Sequence, residues 1–197
     1  MVLEIIGARY LAKDFGGSFY VWISQIGVIL IALALGYYFG GALADRYPRT
    51  SFLAWLLVPG GIVTALIPNF ASPLIDVIIT RHPSDRNIPL LWQKLDPAIG
   101  SLLIFLLPCF VLATLTPFMI RLATRRVAHV GRISGLIYAA STVGSIAGVF
   151  VSGYILVDHL KLSNIFRAIG GLTVLLGLMC WFMDRWFVAE DPKMTHI

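Results

Sequence analysis

From Phe19 to Ala44 the chain carries one strongly polar side chain, Gln25. About 25 such residues cross roughly 30 Å of hydrocarbon with some tilt. A run of this length inside a chain of 197 residues leaves few folds open. The composition agrees: 58% of residues are hydrophobic, 13% are charged, and the mean hydropathy is +0.86. A soluble domain needs far more polar surface to cover its core. The expected fold is therefore an all-α integral membrane protein, a single domain over 1–197 with a bundle of about six helices.

The remaining spans are read from apolar runs and their ends. Tyr20 and Trp22 open the 19–44 span, where amphipathic rings favour the interface, and Asp45-Arg46-Tyr47-Pro48-Arg49 stops it. Further spans are expected at 52–67, 97–120, 135–157 and 166–187. Pro59-Gly60-Gly61 is expected to kink the first of these. The 97–120 span carries Pro108 and Pro117, and the last ends at Trp181, Asp184, Arg185 and Trp186. Residues 1–12 are apolar but too short to span, and they contain Glu4 and Arg9. A short, truncated helix packed on the bundle is expected there, with an interfacial amphipathic helix as the alternative. The 69–96 stretch, with Pro73, Pro83, Pro89 and the charged Arg81-His82-Pro83-Ser84-Asp85-Arg86, is expected to be an extramembrane loop holding one short amphipathic helix.

Orientation follows the arginines. Arg121, Arg125, Arg126 and Arg132 cluster after the 97–120 span, and Arg46 and Arg49 follow the 19–44 span. Alternating spans put both connections on one side, which is then the cytoplasmic one. Arg81, Arg86, Lys94 and Lys161 fall on the other side and blunt the rule. The formal charge of +5 is not gathered into a basic face beside a soluble fold, so nucleic-acid binding is not expected. Cys109 and Cys180 lie in apolar runs and read as small core residues. The opening Met1-Val2-Leu3-Glu4 has no basic leader, so a removable signal peptide is not expected.

Two small-residue stripes recur every fourth residue: Ala32, Gly36, Gly40, Ala44, and Ala140, Gly144, Gly148, Ser152. That spacing places each set on one helical face, where another backbone approaches closely. Packing inside the bundle is the expected use, and an intermolecular contact or a substrate path is the alternative.

The segment Gly40-Gly41-Ala42-Leu43-Ala44-Asp45-Arg46-Tyr47-Pro48-Arg49 resembles the loop between helices two and three of major facilitator superfamily transporters. An ordinary charged stop after a span is the other reading. Four pieces taken together extend the resemblance. They are Leu3-Glu4-Ile5-Ile6-Gly7-Ala8-Arg9 with Phe15-Gly16-Gly17-Ser18 and Tyr20-Val21-Trp22; Gly36 to Gly41 with Ala44-Asp45-Arg46; Thr116 to Leu122; and Gly131 to Ala139 with Ser141 to Ser145. In this order they resemble the membrane half of fused facilitator-type/spermidine synthase-like bacterial proteins, from Met1 to about Tyr154. The resemblance implies a half-facilitator-like membrane module in a bacterial inner membrane. That family begins its first helix well before the residue matching Glu4 and continues into a soluble aminopropyltransferase-like fold. No Gly-rich strand-turn-helix with a following acid stands here, so the module and not the enzyme is implied.

The residues themselves offer little catalysis. His82, His129, His159 and His196 are scattered, with no metal-ligand spacing on a helix. Ser141 and Ser145 have no base near in sequence. No cofactor and no metal are expected. Glu4 and Arg9 are the intramembrane ions, where an isolated charge costs at least about 2.5–3.5 kcal/mol at a helix centre. Their spacing sets them roughly 140° apart around a helix, so each needs a partner elsewhere. A proton or substrate site is one reading, and a structural ion pair with a snorkelling Arg9 is the other. Asp45 is expected to meet Arg121 or Arg125, or to cap the helix starting near Gly131.

Two functions follow. The first is a non-catalytic membrane subunit or anchor within a larger complex, respiratory, photosynthetic or a split synthase-like system. Its partners are the lipid bilayer and other membrane subunits. The second is a small-solute transporter acting as a dimer of six-helix halves. Its mid-span polar residues are then Gln25, Thr64, Thr114 and Thr173, few for a midplane site.

Overall fold

The computed structural model describes residues 1–17, 19–82, 89–124 and 130–189, with side chains to residue 184. Six rods form. Helix α1 covers Val2–Phe15, α2 Phe19–Arg46, α3 Thr50–Thr80 and α4 Leu90–Ala123. Helix α5 runs Val130–Phe150 and continues through a π-helical stretch, Val151–Leu156, into the short α6, Val157–His159; α7 is Leu162–Ala189. Five of these rods are long and apolar enough to cross a membrane. The chain is thus an all-α, multi-pass membrane protein, as its apolar runs imply.

The helices exceed the apolar runs at both ends. Helix α3 does not stop at residue 67 but continues to Thr80, and α4 begins at Leu90. Most of the 69–96 stretch is therefore helix and not loop. The reason is visible in the pattern: Ala71, Ile75 and Ile78 are buried at helical spacing and continue the face of Leu57, Thr64 and Ile67. Pro59, Pro68 and Pro73 all sit within α3. Prolines persist in membrane helices where neighbouring groups satisfy the freed carbonyls.

Close backbones organise the bundle. Ala32, Gly36, Gly40 and Ala44 are all buried, and the two glycines lie against α4. A Cβ at Gly36 would overlap the Ala113 methyl and lie 2.7 Å from the Phe110 carbonyl oxygen; at Gly40 it would lie 2.7 Å from the Thr114 Cα. Helix α3 meets α7 in the same way, Gly61 against Gly170 and Gly177 against Leu57 and Val58. Leu3, Ile6, Leu11, Val21, Ile75, Phe105 and Phe166 fill the core between these pairs.

Helix α1 is 14 residues, about 21 Å long, shorter than the roughly 30 Å of a bilayer's hydrocarbon core. It packs on the bundle with Leu3, Ile6, Gly7, Ala8, Tyr10 and Leu11 buried. The Phe15 ring lies near Gly100 and Gly7 near Phe105, so α1 runs antiparallel to α4 with its first turn towards that helix's middle. Gly16 ends α1 at φ 82° and ψ 161°, a conformation open in practice only to glycine.

The ends of α2 and α4 share one edge of the bundle, where Arg121 meets Asp45. The ends of α1 and α3 and the starts of α4 and α7 lie towards the other. Cysteine substituted for Arg49 is expected to react with a membrane-impermeant maleimide only from the cytoplasm, and cysteine at Lys161 only from outside. The reverse pattern would invert the topology.

Candidate functional site

Helix α5 is the outlier of the bundle. None of its residues from Val130 to Phe150 is buried. Leu136, Tyr138, Val143, Ile146 and Phe150 are all exposed. The second small-residue stripe lies on this helix and finds little partner within the chain. Among the described residues nothing stands within 4 Å of a Cβ placed at Gly144, and Gly148 meets the Val2 side chain at 3.2 Å. Ala140 is exposed, and Ser152 alone of the stripe is buried. Packing inside the bundle, expected for both stripes, holds for α2 and fails for the upper part of α5. Among the described residues Gly148 of α5 meets α1 at Val2, and Ile133, Ser134 and Ile137 near the start of α5 are half-buried.

Among the described residues polar ties join the helices in three regions. The first, at the edge formed by the end of α3 and the start of α4, is built on Asp96. Its side chain is only 6% exposed. Arg81 Nη2 donates to Oδ1 at 2.6 Å, and His82 Nε2 lies 2.8 Å from Oδ2. An ionised carboxylate only accepts, so the imidazole N–H is the donor. Trp92, one turn before Asp96, stacks under the Arg81 guanidinium at 4.3 Å and faces the His82 ring at 5.8 Å. These groups lie in the stretch expected to be loop, and Asp96 was not marked by any apolar-run argument. The signal was available: Trp92, Asp96 and Gly100 recur every fourth residue, a helical face, just beyond a paired Arg-His.

The second tie is in the core. Ser101 Oγ donates to Gln25 Oε1 at 2.6 Å, and both residues are fully buried. Among the described residues the Gln25 amide nitrogen has no hydrogen-bond partner, and it lies where a Cβ at Gly7 would overlap it. Tyr10 and Ser72 join α1 to α3 at 2.9 Å nearby. The other mid-span polar groups turn inward on their own helices. Thr64 donates to the Gly60 carbonyl, Thr114 to Val111 and Thr173 to Ile169. Such back-bonding satisfies the hydroxyl locally and presents nothing to a passing solute.

The third tie closes the opposite edge. Arg121 Nε donates to Asp45 Oδ1 at 2.8 Å. Both side chains are half-exposed or more, so the pair itself is worth about 0.2–1 kcal/mol. Beside it, Tyr47 stacks on Phe52 at 5.0 Å and Phe52 on Phe118 at 6.0 Å. Arg46 lies over the Tyr47 ring at 5.6 Å. Arg125, the other expected partner of Asp45, lies outside the described residues.

Glu4 is half-buried and Arg9 exposed, and neither forms an ion pair among the described residues. The structure brings them neither to each other nor to an opposite charge. Cys109 and Cys180 are free thiols. Among the described residues no cluster of three His, Cys, Asp or Glu side chains forms. Comparison with family models, curated proteins and solved structures returns no match to the chain.

Proposed function

We propose that the chain is a non-catalytic subunit of a bacterial inner membrane, which docks other membrane helices along α5. One observation carries this reading: α5 is a span with no buried residue over Val130–Phe150, and among the described residues its Gly135 and Gly144 have no neighbour within 4 Å of an added Cβ. Gly36 and Gly40 of α2, Gly61 of α3 and Gly170 and Gly177 of α7 instead face a neighbouring backbone. Small side chains in a membrane helix serve close approach of a second helix, from which dispersion contacts follow. On α5 that second helix comes from another polypeptide. The resemblance to the membrane half of facilitator-type/spermidine synthase-like proteins supports a membrane module of this kind. The transporter reading gains nothing from the core, where the three mid-span threonines bond to their own helices.

Isolation from the native membrane in mild detergent tests the proposal. The chain is expected to elute with at least one further membrane polypeptide, and Gly144→Leu to release it while leaving the chain folded. Elution alone, or an assembly indifferent to Gly144→Leu, would refute docking along α5. Saturable solute uptake by the purified chain in liposomes, abolished by Glu4→Gln, would favour the transporter instead.

A further inference from the structure

The edge closed by Asp45 and Arg121 holds more positive charge than its ion pair uses. Asp45 stands at the end of α2, and its carboxylate is spent on Arg121. Arg46 and Arg49 flank the short connection to α3. Both are exposed, and neither has a carboxylate within ion-pair distance among the described residues. No acidic residue stands in the first turn of α3 either. The connection is held in place and not free to turn away. The Arg49 N–H donates to the Tyr47 carbonyl at 2.7 Å, the Tyr47 N–H to Leu43 at 2.8 Å, and the Tyr47–Phe52–Phe118 ladder fixes it against α4. The exposed Tyr47 ring places an amphipathic group beside the Arg46 guanidinium, 5.6 Å from the ring centre.

We infer that Arg46 and Arg49 form a binding surface for the headgroup of an anionic phospholipid. The argument is one of charge complementarity at fixed depth. Both arginines end or follow a membrane span, so the phosphate plane is the anion-rich layer they meet. A guanidinium matches phosphate geometry through paired N–H donors, and the planar fork loses little freedom on binding. The stacked Tyr47 and Phe52 cover the acyl-side boundary of the same headgroup. Neutralisation of Asp45 by Arg121 removes the nearest carboxylate that would compete for the two free cations.

Association of spin-labelled lipid with the purified chain in phosphatidylcholine vesicles tests this. Spin-labelled phosphatidylglycerol is expected to be immobilised in preference to spin-labelled phosphatidylcholine. Arg46→Gln and Arg49→Gln are each expected to lower that preference by roughly fivefold at low salt, while Arg46→Lys retains most of it. Asp45→Asn frees Arg121 and is expected to raise the preference, a readout that does not depend on altering the connection. Equal immobilisation of the two lipids, or a preference unmoved by all these variants, would overturn the inference. Displacement of the lipid by millimolar inorganic phosphate would do so too, since the surface then binds a soluble anion.

Discussion

Replacing Gly170 by leucine is expected to prevent α7 from seating on α3 and to abolish recovery of a monodisperse protein. A Cβ at this position would lie 2.5 Å from both the Ala65 nitrogen and the Gly61 carbonyl oxygen. Both are backbone atoms, so no side-chain rotation relieves the clash and the two helices must separate. Even Gly170→Ala is expected to cost about 1–3 kcal/mol, the range for overfilling a packed site. Gly36→Leu is expected to act alike on α2 and α4, because the Phe110 carbonyl bars the way. Gly144→Leu is the control. Among the described residues nothing stands within 4 Å of a Cβ there, so stability in detergent should stay within about 0.5 kcal/mol of the parent. Thermal unfolding followed by size-exclusion recovery separates these outcomes. A destabilised Gly144→Leu beside an intact Gly170→Leu would contradict the packing described.

Asp96→Ala is expected to lower stability by about 2–3 kcal/mol. Removing one partner of a buried ion pair strands the other, at about 3–5 kcal/mol where both are buried. The value is discounted here because the Arg81 side chain is 45% exposed and water reaches it. His82 is 12% exposed and loses its acceptor, which accounts for most of what remains. Asp96→Asn keeps an acceptor and should fall between parent and alanine. A double-mutant cycle of Asp96→Ala with His82→Ala in detergent checks the contact. Coupling of about 1 kcal/mol or more is expected, and strict additivity would remove the tie.

The spans were legible because apolar length is a coarse signal that lipid imposes on every crossing helix. The α2 stripe was legible for the same reason that it packs: four small residues on one face have few other uses. Helix ends were less visible. Pro68, Pro73 and Asp76 make residues 68–80 look like loop, yet Ala71, Ile75 and Ile78 carry the buried face through them. Asp96 hid behind the same bias. A carboxylate read as the last residue of a loop is in fact a buried anchor on α4 whose partners sit just past the end of α3. Sequence spacing also could not separate the two glycine stripes. Gly36 and Gly144 stand in stripes of the same four-residue spacing, and only the arrangement of helices shows that one faces α4 and the other faces no described residue. Arg121 as partner of Asp45 was foreseeable from the alternation of spans, since that places the ends of α2 and α4 on one edge.

Photo-crosslinking in the native membrane addresses the docking claim most directly. Photoreactive residues placed at Leu136 and Val143 on α5, and at the similarly exposed Leu30 on α2, sample two faces of the same bundle. Polypeptide adducts from Leu136 and Val143, with only lipid adducts from Leu30, are the expected result. Lipid adducts alone from all three positions would contradict a role for α5 in assembly.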